Sequence, residues 1–189
     1  YDIVFNEPIE QLLNLTASRL STKVSGPVTE NVNKVYQLAV KSKFVSNNLK
    51  SNVAASLYPM DVLSAYVLTI ANQKYGQNER TLFTFLESTG EGSISAFDAN
   101  DNELYNLAEV YDYITYSFYS RLQEINEDST NWSAIKIAIE RAEGLNEENK
   151  FIEASVKIIK SVGLLSIFAS PATVIDKKFL CEYSTVSMG

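Results

Sequence analysis

Apolar residues recur at spacings of three and four along most of this chain, a pattern typical of amphipathic α-helices. The pattern predicts an all-α fold, an irregular bundle of seven or eight helices, and it contains no convincing pair of alternating β-strands. The predicted helices cover about residues 8–22, the stretch from 27 onward, and then 59–76, 78–88, 103–125, 132–143, 147–168 and 171–183.

Helix-end signals agree with these boundaries. Asp61 falls in the first turn of the helix that starts near Pro59, where a carboxylate meets the positive end of the helix dipole. Gly76 is placed to end that helix. The polar segment 89–102 reads as a loop with a short helical turn near 94–97, and Asp101 or Asn102 is expected to cap the next helix.

Composition indicates a well-buried core and excludes several chemistries. Hydrophobic residues make up 46% of the 189 residues, and the chain has one cysteine and no histidine. Zinc sites of the usual Cys/His kind, a Ser-His-Asp triad and a Cys-His pair are therefore excluded. We expect residues 1–189 to be one helical module in a reducing, cytoplasmic compartment. Because the chain starts at Tyr1 rather than Met, we also expect a fragment of a larger protein.

Net charge and hydropathy limit the expected partners. The formal net charge of −7 argues against a broad nucleic-acid surface, although Lys157, Lys160, Lys177 and Lys178 form a local lysine-rich region. No apolar run is long enough to span a bilayer. We expect neither a nucleic-acid nor a membrane partner.

Three segments resemble binding or catalytic sites only in part. The "GEGS" sequence at 90–93 lacks the Gly-Lys-Ser/Thr ending of a phosphate loop. The "DANDNE" sequence from Asp98 has Glu109 at the twelfth position of a calcium loop, but Glu103 stands where the sixth-position glycine is required. Glu140 and Glu143 read as a solvated charged face. We therefore expect no catalytic residue, cofactor or metal, and leave a carboxylate-dependent metal enzyme as a third hypothesis.

Four tyrosines, which we call the tyrosine row, lie along the predicted 103–125 helix. This row could bind a partner, because tyrosine is enriched at interfaces, or it could pack between helices. The row consists of Tyr105, Tyr113, Tyr116 and Tyr119.

The triplet Asn78, Glu79 and Arg80 directly precedes an apolar run. Asn78 can cap the helix and Glu79 suits its first turn. Arg80 can pair within the module, or its planar guanidinium can reach a phosphate or carboxylate of a neighbouring domain. Both assignments stay open at this point.

The segment "YPMDVLSAYVL…KYGQNERTLFTFLEST" resembles a helical region of large P-loop ATPases related to AAA and STAND NTPases. The later blocks "NWSAIKIAIERAEGL" and "ASVKIIKSVGLLSIF" are similar in the same order, so the resemblance covers roughly residues 56–168. It implies a helical module that follows an ATPase core, with a winged-helix-like region starting in 151–189. The Walker motifs are absent here, so ATP hydrolysis is not carried over.

Two functional hypotheses follow from these observations. In the first, the chain is a non-catalytic module of a larger ATP-dependent protein and couples the ATPase core to a partner or a neighbouring domain. Asn78, Glu79 and Arg80 would then lie near the seam with that core. In the second, the chain is a stand-alone adaptor that binds another protein through the tyrosine row.

Overall fold

A computed structural model describes residues 8–20, 26–46, 48–76, 79–87, 89, 92–97, 103–124 and 127–189. These residues form ten α-helices and one short 3-10 helix, Ile94–Ala96, without any β-strand, which confirms the all-α prediction. The helices are α1 (Ile9–Leu20), α2 (Gly26–Lys41), α3 (Ser51–Ser56), α4 (Val62–Tyr75), α5 (Glu79–Glu87), α6 (Leu107–Ser117), α7 (Tyr119–Gln123), α8 (Ser129–Glu143), α9 (Asn149–Phe168) and α10 (Lys177–Ser187).

Helix α4 lies at the centre of the bundle and packs against α1, α2, α5, α6 and α9. A helix surrounded on all sides must be apolar or small around most of its circumference, and α4 has that composition. Its buried residues are Val62, Leu63, Ser64, Ala65, Val67, Leu68, Thr69, Ala71 and Asn72.

The predicted 103–125 helix is wrong at its start and in its continuity. Residues 103–106 are not helical, because Tyr105 forms an isolated parallel bridge with Met60. The Tyr105 N–H donates to Pro59 O at 2.8 Å, and the Asp61 N–H donates to Tyr105 O at 3.2 Å. Asn106 caps α6 by accepting from the Ala108 N–H at 2.9 Å.

The predicted caps Asp101 and Asn102 lie outside the described residues, and the start of α6 at Leu107 excludes that role for them. The predicted helix also divides at Phe118 into α6 and α7. This division, together with the short α3 that the pattern did not predict, accounts for ten helices instead of seven or eight.

Helices α8 and α9 pack closely against each other, and α9 also contacts α6 and α4. Gly163 permits this contact, because a Cβ built on it would stand 2.5 Å from Ile135 Cγ1. Residues 151–189 form most of α9 and all of α10, and they contribute Leu164, Leu165 and Phe179 to the same hydrophobic core as the earlier helices. Whether they correspond to the start of a winged helix stays a prediction.

An aromatic cluster joins the end of α4 to α8 and α9. The Tyr75 ring lies 6.2 Å from each of the rings of Phe118, Trp132 and Phe168. Asp128 accepts hydrogen bonds from the Tyr75 hydroxyl at 2.5 Å and from Lys74 Nζ at 2.6 Å. Burial, followed by the hydrogen bond to Asp128, raises the pKa of Tyr75 well above its ordinary value.

Among the described helices, none is both long and apolar enough to cross a bilayer.

Candidate protein-binding groove

The structure accounts for the apolar part of the block at 77–86 but not for its charged triplet. Asn78 lies outside the described residues, and Glu79 and Arg80 form the first positions of α5 with side chains outside the description. Leu82 and Phe85 are fully buried in the core. The role of Arg80 near the seam with an ATPase core therefore stays a prediction, whereas the apolar run packs α5 onto the bundle.

The tyrosine row divides into two buried and two exposed residues. Tyr105 and Tyr113 are only 1% and 5% exposed, and both rings pack edge-on against Phe85. The prediction of a partner surface is wrong for these two, because they fill the core. Tyr116 and Tyr119 are 69% and 64% exposed, and they are the part of the row that remains available for contact.

A larger candidate surface lies between α9 and α10, which touch each other only lightly. Two adjoining cavities of about 400 and 220 Å³ share Ile158, Ser184 and Met188, and together they form what we call the α9–α10 groove. Its α9 wall consists of Lys150, Glu153, Ala154, Lys157, Ile158 and Ser161. Its α10 wall consists of Lys177, Leu180, Cys181, Ser184, Thr185 and Met188.

The spacing of these residues explains why each helix presents one continuous wall. Residues at 150, 153/154, 157/158 and 161 lie one above the other on a helix of 3.6 residues per turn, and so do those at 177, 180/181, 184 and 188. Lys150 and Ala154 line the cavity that includes Thr185 and Gly189, at the end of α10, whereas Ser161 lines the cavity that includes Lys177, at its start. The two walls therefore run antiparallel.

An exposed apolar stripe follows the outer edge of the α9 wall. Phe151, Ile158 and Val162 are 55%, 42% and 39% exposed, and their spacing places them along one side of α9. Ile158 belongs both to this stripe and to the groove. Apolar surface therefore continues from the groove onto the adjacent face of α9.

A buried carboxylate holds α10 in position. Asp61 is 0% exposed and caps α4 by accepting from the Ser64 N–H at 2.8 Å. The same carboxylate accepts from the Tyr183 hydroxyl at 2.8 Å and from the Ser187 hydroxyl at 2.5 Å, both on α10. The Tyr183 oxygen also accepts from the Leu107 N–H at 2.9 Å, so one hydroxyl joins α4, α6 and α10. The wall formed by α10 is thus fixed from beneath.

Burial dominates the electrostatics of this network. It raises the pKa of the Asp61 carboxyl above its ordinary value and outweighs the opposite effect of the hydrogen bonds from Ser187, Ser64 and Tyr183. Burial, followed by the Asp61 charge, also raises the pKa of the Tyr183 phenol. The tyrosine therefore stays protonated and remains a hydrogen-bond donor to Asp61.

The groove carries one ion pair and three charged side chains that make no ion pair within the described residues. Lys157 pairs with Glu103 at 2.9 Å inside the groove. Within the described part of the chain, neither the Lys150 nor the Lys177 ammonium makes an ion pair. Glu153, on the α9 wall, likewise makes no ion pair with any described residue. Because the walls are antiparallel, Lys150 and Lys177 stand at opposite ends of the groove.

The lysine-rich region noted in the sequence is largely neutralised by carboxylates. Besides the pair of Lys157, Lys160 binds Asp112 at 2.7 Å and Lys178 lies 3.8 Å from Glu182. These three ammonium groups do not form the uncompensated patch that phosphate backbones require.

Metal-ligand geometry is absent from the described residues, in which no group of three or more Cys, Asp or Glu could hold a metal ion.

Comparisons with protein-family models, curated proteins and solved structures find no match. The geometry of the groove is thus the main evidence for function. The groove was not predicted from the sequence, although two of its lysines, Lys157 and Lys177, belong to the lysine-rich region.

Proposed function

We propose that this chain is a non-catalytic protein-interaction module whose α9–α10 groove receives a helix of another protein or domain. The observation that carries the proposal is a groove, lined in part by Ile158, Leu180 and Met188, that continues into an exposed apolar stripe. Such an arrangement matches the recognition mode in which an amphipathic helix lays its apolar face between two helices.

The dimensions of the groove fit a short helix. Its α9 wall runs from Lys150 to Ser161, eleven residue steps of 1.5 Å, or about 17 Å. That length accommodates about three turns of a partner helix. Ala154 and Ser184 are small residues on facing walls, which lets a helix approach the floor closely.

The exposed stripe favours a macromolecular partner over a small molecule. A small ligand is mostly enclosed by its pocket, with a few convergent polar groups that fix its orientation. Here Phe151 and Val162 extend the apolar surface beyond the cavities. Only a ligand larger than the cavities would cover these side chains.

An unbiased display library of helical peptides, selected for binding to the whole chain, tests the proposal. The affinity of the selected peptides is then measured for the wild type, Ile158→Asp and the matched control Ile137→Asp. Ile158 in the groove and Ile137 on α8 are similarly exposed, at 42% and 47%. We expect Ile158→Asp to weaken binding at least tenfold, since the ligand would bury a carboxylate without a partner, and Ile137→Asp to change it little.

Circular dichroism of both variants checks that the fold is retained. Selected peptides that bind Ile158→Asp as tightly as the wild type would reject the groove as the binding site. A selection that yields no groove-dependent peptide would reject the proposed function.

The resemblance to the helical region of large P-loop ATPases supports a second, more specific setting for such a module. It rests on the block at 77–86, and in that setting the partner would be another domain of the parent polypeptide. Arg80→Ala in the parent protein should then lower ATP turnover or impair assembly. Unchanged turnover together with unchanged assembly would reject a role of Arg80 at the seam.

A further inference from the structure

We infer that the partner of the α9–α10 groove is an acidic amphipathic helix of about three turns. One carboxylate lies on one flank of its apolar stripe near one end, and another lies on the opposite flank near the other end. This inference rests on the proposed function of the groove. It adds the charge and the pattern of the helix that binds.

The first argument is the placement of the two unpaired lysines. Lys150 belongs to the α9 wall at one end of the groove, and Lys177 belongs to the α10 wall at the other end. A helix lying between the walls would pass Lys150 on one flank and Lys177 on the other. Carboxylates at these two places would form ion pairs across the interface and fix the position of the helix along the groove.

The second argument is the uneven distribution of charge along the chain. The segment 149–189, which forms α9 and α10, contains five lysines and three carboxylates, a net charge of +2. The whole chain carries −7, so the preceding 148 residues carry −9. Lys157 and Lys160 of this segment pair with Glu103 and Asp112 outside it. The uncompensated positive charge that an acidic helix meets at the groove is therefore that of Lys150 and Lys177, less the charge of Glu153.

The apolar contacts supply affinity, whereas the lysines select the partner. Burial of Ile158, Leu180 and the edge of Met188 beneath a partner helix is independent of the partner's charge. Exposed ion pairs at the rim contribute little to affinity but discriminate against like charges. A basic helix with the same apolar stripe would place its cations beside Lys150 and Lys177 and bind more weakly.

The test uses the tightest groove-dependent peptide from the display selection as its probe. Three versions of this peptide carry Glu, Gln or Lys at the two flank positions nearest the groove ends and are otherwise identical. We expect the Glu version to bind at least about fivefold more tightly than the Lys version, with the Gln version between them and the difference shrinking at high salt. The preference should reverse in the Lys150→Glu/Lys177→Glu variant, whereas Lys136→Glu on α8 should leave it unchanged.

Cys181 reports whether the probe occupies the groove. It is the single cysteine of the chain, it is exposed, and it lies on the α10 wall. A bound probe should slow its reaction with a maleimide at least threefold. Sedimentation of the free chain identifies a competing occupant: a dimer that dissociates on Ile158→Asp would show that a second copy fills the groove and would overturn the acidic-helix inference.

The outcomes separate this inference from the proposed function. Probes that protect Cys181 equally well with Glu, Gln or Lys would overturn the acidic partner and leave the groove as a binding site. Selected peptides enriched in Lys or Arg would do the same. Absence of any groove-dependent probe would instead remove the proposed function, and this inference with it.

Discussion

Replacing Tyr183 by Phe removes one buried hydroxyl and tests whether it holds α10 on the bundle. The side chain is 1% exposed, and its oxygen both donates to Asp61 at 2.8 Å and accepts from the Leu107 N–H at 2.9 Å. Phenylalanine keeps the ring and its stacking on Phe179, whose centroid lies 6.3 Å away. The substitution therefore isolates the hydrogen bonds from the packing.

The expected cost follows from these two bonds. Loss of the bond to Asp61 costs about 1 kcal/mol, and the stranded Leu107 N–H, buried at the first turn of α6, costs about 2 kcal/mol more. Tyr183→Phe should therefore lower the free energy of unfolding by about 3 kcal/mol. For a chain of this size, that corresponds to a fall in Tm of about 6–12 °C.

A second tyrosine provides the matched control. The Tyr36 hydroxyl donates a single hydrogen bond, to Leu49 O at 2.6 Å, so Tyr36→Phe should cost about 1 kcal/mol. Urea unfolding is followed by the fluorescence of Trp132, the single tryptophan of the chain, which is buried. If Tyr183→Phe costs no more than Tyr36→Phe at an unchanged denaturant slope, the hydroxyl does not join the three helices as argued.

Two further predictions concern the pH dependence of Asp61 and the contact between α8 and α9. Because burial raises the pKa of Asp61 above 3.8, the folded state keeps this proton to higher pH than the unfolded chain does. Urea unfolding gives the free energy of unfolding of the wild type relative to Asp61→Asn. This difference should be largest below pH 3.8 and fall as the pH rises through the pKa of Asp61 in the folded state. A difference that rises with pH would contradict the direction of the pKa shift. Gly163→Ala should cost about 1–3 kcal/mol in the same assay, since its Cβ would meet Ile135 at 2.5 Å. In the control Gly144→Ala the nearest atom is 3.4 Å away, so equal costs would argue against this tight contact.

Helices with a clear apolar period were predictable, and positions defined by distant partners were not. Periodicity placed α4, α8 and α9 within a few residues of their observed bounds, because each buries a stripe of apolar residues that is recognisable from the spacing in its own sequence. The start of α6 was predicted four residues early, at Glu103. Tyr105 is kept out of the helix by hydrogen bonds with residues 59 and 61, which are more than forty positions away. The apolar spacing near Tyr105 does not indicate hydrogen bonds to such distant residues.

Asp61 shows the same limit at the candidate site. The sequence placed Asp61 in the first turn of a helix starting near Pro59, whereas it is the N-cap of α4. In both positions a carboxylate meets unpaired backbone N–H groups. Its second role depends on Tyr183 and Ser187, which are 122 and 126 residues away. Nothing in the spacing of those residues distinguishes hydroxyls that reach a buried acid from ones that face water. The α10 wall was therefore beyond prediction, although the expected helix at 171–183 overlaps the first seven residues of α10.

The apolar stripe on α9 becomes informative only after the core is known. This helix is apolar around much of its circumference, as expected for one that packs against α8, α6 and α4. In the sequence, Phe151, Ile158 and Val162 are indistinguishable from Leu164 and Leu165, which are fully buried. Once the three neighbouring helices are in place, the first group is left exposed beside a groove. A surplus of apolar residues in the sequence of a helix can therefore reflect either a further packing neighbour or a binding surface, and the exposure of Ile158 within the groove is the observation that favours the second.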